Sequence, residues 1–173
     1  MMQRLHKPLL LATLIVLLLC CQACTLKYSF TGASISPEIK TLQISYFQNR
    51  ATNVQPTLSN TFTEGLKDRF LSQTSLNMVN TGGDLMIEGE ITDYRVNPLA
   101  YQGNETAALN RLTVNVRVRF TNNIQPEKSF DTQFSRYADF ESTQNLASVE
   151  NQLINEIVEQ LTEDIFNKAV VNW

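Results

Sequence analysis

The nine residues LTVNVRVRF at positions 112–120 carry the clearest secondary-structure pattern in this chain. Apolar side chains alternate with polar ones, the period of two that sends them to opposite faces of a β-strand. The polar positions are Thr113, Asn115, Arg117 and Arg119. A strand with one apolar and one polar face belongs to a sheet that is covered on one side and meets water on the other.

Three more segments alternate in the same way, at positions 42–46, 85–91 and 130–135. Turn signals separate them from their neighbours: Gly82-Gly83-Asp84 precedes the second, and Asn122-Asn123 follows residues 112–120. The sequence therefore predicts a four-stranded, mostly antiparallel sheet that needs a cover on its apolar face.

Two amphipathic helices can supply that cover, because apolar residues recur every four positions in residues 58–70 and again in residues 149–165. We expect Thr57 or Ser59 to cap the first helix and Ser148 to cap the second. Gly65 inside the first helix indicates a close approach to the sheet. The order β-α-β-β-β-α predicts an α+β two-layer sandwich, with two helices on a four-stranded sheet.

The N-terminus has the pattern of a lipoprotein signal peptide. Arg4 and Lys7 precede an apolar run at 9–19, which is too short to span a bilayer comfortably. Ala23 places a small residue before Cys24, although Cys21 and Gln22 are atypical at the two positions before it. We predict a signal peptide at 1–23, a lipidated tether at 24–37 and a folded domain at 38–173. The alternative is an ordinary secretory signal peptide whose nearby cysteines carry no lipid.

Composition excludes several kinds of chemistry. His6 is the only histidine and leaves with the predicted signal, while Cys24 is the only cysteine of the predicted mature chain. Disulfides, thiolate or histidine catalysis and ordinary zinc sites are therefore not expected, and the covalent lipid on Cys24 is the only attached group predicted. The predicted mature chain has 12 basic and 17 acidic residues, a balance that argues against a nucleic-acid partner.

The chain resembles the LptE family of lipopolysaccharide-assembly lipoproteins, in a branch outside the enterobacterial type. Each matching segment is short, but their order and spacing cover most of the predicted mature protein. They are YSFTGAS at 28–34, PTLS at 56–59, FTE at 62–64, EGEI at 88–91, TAALNRLT at 106–113, FSRYA at 134–138 and IFNKAVVNW at 165–173.

This resemblance implies two helices on a four-stranded sheet, in agreement with the residue pattern. It also implies a role: family members help the LptD outer-membrane β-barrel to fold, plug its lumen and assist delivery of lipopolysaccharide to the outer leaflet. The chain would then be anchored in the outer membrane. No acidic run follows Cys24, which favours the periplasmic side over the cell surface.

Four arginines are candidate contacts with lipopolysaccharide or the barrel. Arg117 and Arg119 share the polar face of one strand, where guanidinium groups could bind lipid phosphates bidentately. Cross-strand pairing with Glu88 and Glu90 is the alternative for these two. The others, Arg111 and Arg136, stand near strand ends or aromatic residues, where they could anchor a partner or pack over the edge of the core.

Two other functions stay open at this stage. An envelope lipoprotein that binds a different ligand or machine would need the same anchor and fold. A two-carboxylate glycan hydrolase could use Glu88 and Glu90, whose spacing of two on a strand places them roughly 6–7 Å apart. No further motif supports that enzyme, and the sequence favours a non-catalytic protein.

The anchor gives the first testable prediction. Cys24→Ala should move the protein from the membrane fraction to the soluble envelope fraction, because each acyl CH₂ buried in the bilayer contributes about 0.8 kcal/mol. Fractionation and mass spectrometry of the native N-terminus measure both consequences. Cys20→Ala is the matched control and should stay in the membrane fraction. A native N-terminus without acyl groups at residue 24 would contradict the prediction.

Overall fold

The computed structural model describes residues 35–99 and 108–171. Cys24 and the whole predicted signal peptide lie outside the described residues. Within them, no helix is both long enough and apolar enough to cross a membrane.

The strands of the described residues form one mixed sheet of six, in which β3, β1, β4, β5 and β6 follow one another and β2 also pairs with β4. Their bounds are β1 Thr41–Ile44, β2 Gln48–Asn49, β3 Asn77–Met78, β4 Leu85–Leu99, β5 Leu109–Asn122 and β6 Phe130–Glu141. The four predicted strands are β1, β4, β5 and β6.

In the part of the chain that the structure describes, the sheet is mixed and has six strands, where four, mostly antiparallel, were predicted. β4 pairs antiparallel with β5, and β5 with β6, but β1 runs parallel to both β4 and β3. The parallel pairing of β1 with β4 follows from the helix between them, because a helical crossover returns the chain in its original direction. β2 and β3 have two residues each, too few to show an alternating pattern in a sequence.

The two predicted helices are confirmed as α1, Leu58–Gln73, and α2, Leu146–Phe166, the latter followed by a π-helical turn at Asn167–Val171. Their caps differ from expectation. The side chain of Gln55 accepts the backbone N–H groups of Thr57 and Leu58 at 2.7 and 2.8 Å. α2 begins at Leu146, and its cap is Asn145 instead of the predicted Ser148. The side chain of Asn145 accepts the backbone N–H of Ala147 at 3.0 Å.

The core lies between the sheet and the two helices. The apolar positions of the quoted strand, from Leu112 through Phe120, are all buried, and both helices place their repeating apolar residues in the same cluster. Aromatic contacts reinforce it: Phe47 meets Phe62 edge-on with ring centroids 4.9 Å apart, and Phe70 meets Phe166 at 5.1 Å. The two-layer α+β prediction is confirmed in these terms.

Gly65 marks a helix–helix contact, not the predicted approach of helix to sheet. A Cβ at this position would lie 3.0 Å from a methyl group of Val158 on α2. α1 and α2 therefore lie close together here, since a glycine lets two helix surfaces come together without an intervening side chain.

A bulge interrupts the pairing of β1 and β2 with β4. The register passes from Ile44 opposite Ile87 to Gln48 opposite Glu90, so four steps on one strand match three on the other. Phe47 turns inward at the bulge and is fully buried. Its backbone N–H donates to the hydroxyl of Thr63 on α1 at 3.1 Å, which ties the bulge to the helix layer.

Gly89 makes room for this inward-turned ring. A Cβ at position 89 would overlap the carbonyl oxygen of Arg117 on β5 and lie 2.6 Å from the ring of Phe47. Neither obstacle can yield without moving backbone or a buried aromatic side chain. The bulge therefore requires glycine at this position for steric reasons.

Gly89→Ala should lower the free energy of unfolding by at least about 1–3 kcal/mol, the usual cost of forcing extra atoms into a packed core. Gly65→Ala is the comparison, because its Cβ would meet only the side-chain methyl groups of Val158 and Thr162 and no backbone. Denaturant unfolding of both variants measures the difference. Equal stability of Gly89→Ala and the wild type would contradict the steric argument.

Candidate functional site

The sheet face turned away from the helices, here called the open face, carries the polar side chains of the quoted strand. On β5 these are Arg111, Thr113, Asn115, Arg117 and Arg119, which alternate with the apolar residues of the core; Thr113 is itself buried. On β4 the alternation shifts at a bulge between Ile91 and Asp93. Glu88 and Glu90 therefore reach the open face before the shift, and Asp93 and Arg95 after it.

Arg117 and Arg119 are held by carboxylates on the strands to either side. Arg117 binds both oxygens of Asp131 on β6, at 2.8 and 3.0 Å. Arg119 donates to Glu88 on β4 at 3.1 Å, and its Nε lies 3.6 Å from Asp131. The expected pair of Arg119 with Glu88 is present. Arg117 is paired in the strand register with Glu90 but forms its hydrogen bonds with Asp131, which is placed diagonally on β6.

Arg111 forms a separate group near the other end of the open face. Its guanidinium binds both carboxylate oxygens of Asp139 at 2.7 and 2.8 Å. The same guanidinium lies over the ring of Tyr137, 3.5 Å from the centroid. Tyr137 is 48% exposed. We call Arg111, Tyr137 and Asp139 the arginine–tyrosine cluster.

Arg136 does not share this surface. It stands opposite the buried Val114 in the strand register, so its side chain leaves the sheet on the helix side. There it binds both carboxylate oxygens of Asp164 on α2, at 2.5 and 2.7 Å. The structure thus brings three of the four candidate arginines to the open face and uses Arg136 to join β6 to α2.

Two arginines of the open face escaped the sequence analysis. Arg50 follows the two-residue strand β2, and its Nε lies 3.9 Å from Glu90. Arg95 follows the bulge on β4 and pairs with Asp93. A strand of two residues and a broken alternation leave no periodic signal, so neither position could be assigned to a face from sequence alone.

Among the described residues, the ion-paired groups of the open face balance in charge. Its ion pairs join five arginines to five carboxylates: Arg50, Arg95, Arg111, Arg117 and Arg119, with Glu88, Glu90, Asp93, Asp131 and Asp139. Hydrogen bonds from Arg117 lower the pKa of Asp131, and those from Arg111 lower the pKa of Asp139. Both carboxylates are thus stabilised in their charged form, and the surface is not a basic patch.

A hollow of about 440 Å³ opens on this face beside the bulge between β1 and β2. Its charged lining is formed by Arg50, Arg117 and Arg119 together with Glu88, Glu90 and Asp131. Tyr46, which the bulge lifts to 57% exposure, stands at its side. We call this the bulge hollow. Among residues 35–99 and 108–171, no group of three or more metal-ligating side chains is assembled.

Fold and surface together define a small α+β domain, with helices on one side and a charge-balanced sheet face on the other. The chain belongs to the LptE family, described as lipopolysaccharide-assembly, whose profile matches residues 39–169. The resemblance found in the sequence is thereby confirmed. LptE is a family of non-enzymatic outer-membrane lipoproteins of lipopolysaccharide assembly.

Two solved structures share the fold at low sequence identity, and a third matches more weakly. A hypothetical protein from Chlamydia trachomatis is 12% identical with a TM-score of 0.51, over 78% of this chain and 98% of that one. A homolog of the neuraminyllactose-binding hemagglutinin from Helicobacter pylori is 8% identical with a TM-score of 0.51, covering 82% and 88%. A minor lipoprotein from Acinetobacter baumannii is 16% identical with a TM-score of 0.45, covering 76% and 92%. Curated proteins give no significant match.

The hydrogen bonds from Arg117 to Asp131 predict how the stability of the fold depends on pH. The pKa of Asp131 is lowered from 3.8 in the folded protein, so its stabilising contribution is complete above 3.8 and is lost as pH falls through the folded value. Asp131→Asn should therefore flatten the fall in stability below pH 3.8. Thermal melts between pH 7 and 2 measure this.

The matched control for this experiment is Glu127→Gln, which changes the charge equally in the turn between β5 and β6. It should retain the wild-type slope below pH 3.8. An unchanged slope in Asp131→Asn would show that the bonds from Arg117 do not stabilise the folded state.

Proposed function

We propose that this protein is the lipoprotein subunit of an outer-membrane lipopolysaccharide translocon. In this role it assists assembly of an LptD-type β-barrel, plugs its lumen and helps to deliver lipopolysaccharide to the outer leaflet. The family match over residues 39–169 is the observation that carries the proposal. A domain of this family works by docking, since its role in assembly requires no covalent chemistry.

The predicted anchor completes the proposal. Cleavage after residue 23 would leave Cys24 carrying diacylglycerol and an N-acyl chain, and residues 24–37 would link it to the domain at 38–173. Two or more acyl chains suffice for stable membrane attachment. The domain would then be held at the periplasmic side of the outer membrane, next to the barrel.

The arginine–tyrosine cluster is the best candidate for the contact with the barrel. Tyrosine and arginine are the residues that most often dominate binding energy at interfaces. Here the guanidinium is already fixed by the Asp139 carboxylate and the Tyr137 ring. A side chain held in place before binding loses little rotamer entropy when a partner arrives.

A different envelope machine is the alternative partner, since the same anchor and fold would serve it equally. Depletion separates the two. Loss of a translocon subunit should reduce surface lipopolysaccharide and admit large hydrophobic antibiotics. An unrelated binding lipoprotein should change neither property.

Tyr137→Ala tests the contact. If Tyr137 anchors the barrel, its removal should cost about 1.4 kcal/mol or more of binding free energy, which is a tenfold or larger loss of affinity. The full-length lipoprotein is affinity-purified from detergent-solubilised outer membranes, and the co-purified LptD-type barrel is quantified by mass spectrometry.

Tyr46→Ala is the matched control, because Tyr46 is an exposed tyrosine outside the arginine–tyrosine cluster. Barrel recovery should survive this change. Equal recovery with Tyr137→Ala and the wild type would remove the cluster from the interface. Repeated purification of the wild type without any barrel protein would overturn the proposed function itself.

A further inference from the structure

The bulge hollow has the dimensions of a small-ligand site but not the charge of a phosphate site. Its volume of about 440 Å³ lies in the range of sites that enclose small molecules. Three arginines and three carboxylates line it, so its formal charge is zero. Attraction of a multiply charged anion requires a net positive potential, which this lining does not supply.

The arginine geometry that a phosphate would use is already occupied. Arg117 presents two parallel N–H groups to Asp131, the bidentate arrangement that guanidinium groups otherwise offer to phosphate. Arg119 is engaged between Glu88 and Asp131. A phosphate would have to displace these carboxylates and leave negative charges beside itself.

Uncharged hydroxyl groups fit the same lining better. A hydroxyl both donates and accepts, so it can bond to a guanidinium and a neighbouring carboxylate together without breaking their ion pair. Arg50 and Glu90 are suited to this, because Nε and the carboxylate oxygen are 3.9 Å apart, beyond hydrogen-bonding distance. A ligand hydroxyl between them could accept a hydrogen bond from the Arg50 Nε–H and donate one to the Glu90 carboxylate.

Tyr46 adds the apolar component of the site. The residue is 57% exposed at the bulge, although an aromatic side chain gains by covering its apolar surface. A sugar ring presents C–H groups on its faces and hydroxyls around its rim. It can therefore cover the tyrosine ring while its hydroxyls reach Arg50 and Glu90.

We infer that the bulge hollow binds an oligosaccharide through its uncharged hydroxyl groups, with Tyr46 packing against a sugar ring and with Arg50 and Glu90 bonding to its hydroxyls. The inference rests on the proposed function only for the source of the sugar. Within that function, the hollow would hold the core oligosaccharide of lipopolysaccharide and not its phosphorylated lipid moiety.

The test titrates full-length lipoprotein, in a detergent without a sugar headgroup, with delipidated and dephosphorylated core oligosaccharide. Inorganic phosphate is titrated separately. Isothermal titration calorimetry should show binding of the oligosaccharide and none of phosphate. Tyr46→Ala should weaken oligosaccharide binding about three- to tenfold, the loss expected from one exposed aromatic contact. Arg50→Gln should weaken it comparably and provides a second variant if the first folds poorly.

Arg69→Gln on α1 is the matched control for the arginine variant and should leave oligosaccharide binding unchanged. Binding of phosphate without oligosaccharide would overturn the inference, as would binding of neither or equal binding by Tyr46→Ala and the wild type. Barrel recovery distinguishes the two proposals. If the protein co-purifies with the barrel but does not bind the oligosaccharide, only the assignment of the hollow as a sugar site is refuted. If it binds the oligosaccharide but recovers no barrel, only the proposed translocon role is refuted.

Discussion

Covering one face of the sheet with two helices is the constraint on which the rest of this structure depends. The apolar side of β5 packs in the core with residues of α1 and α2, and among residues 35–99 and 108–171 no helix packs on its polar side. Charged residues on that exposed side lie only a few ångströms from one another across neighbouring strands. Like charges there would repel, so each arginine stands beside a carboxylate.

Ion pairs and hydrogen bonds join the helix layer to the edges of the sheet. Arg136 on β6 binds Asp164 on α2, and the hydroxyl of Tyr94 on β4 donates to Glu150 at 2.5 Å. Burial raises the pKa of Tyr94 above its usual range, and the carboxylate of Glu150 adds to the effect, so the phenol keeps its proton. At the edge of the core, Asp84 accepts backbone N–H groups from Lys40 and Thr41, both at 2.9 Å, and so fixes the start of β1 against β4.

These features distinguish two parts of one surface. In the arginine–tyrosine cluster, a guanidinium is held between a carboxylate and an aromatic ring. The bulge hollow is concave, and three arginines and three carboxylates line it. A basic patch would attract any polyanion, whereas paired charges of opposite sign do not.

The periodic elements could be predicted because their signal repeats along the chain. The alternation in β5 and the four-residue repeats in α1 and α2 each extend over several residues, so the sandwich, its covered face and the placement of Arg117 and Arg119 followed from them. Elements without a repeating pattern could not be predicted. β2 and β3 are only two residues long, and the bulge on β4 breaks the alternation that would have assigned Arg95 to a face.

The sequence by itself determined which side of each long element is apolar and therefore that the domain has two layers, since burial of apolar surface acts on every such residue wherever its neighbours lie. Only the tertiary structure decided which charges meet. The parallel pairing of β1 with β4, the bulge that Gly89 permits and the ion pair of Arg136 with Asp164 depend on contacts between distant segments, which no local pattern predicts. The ion pairs of the open face are the result of those contacts.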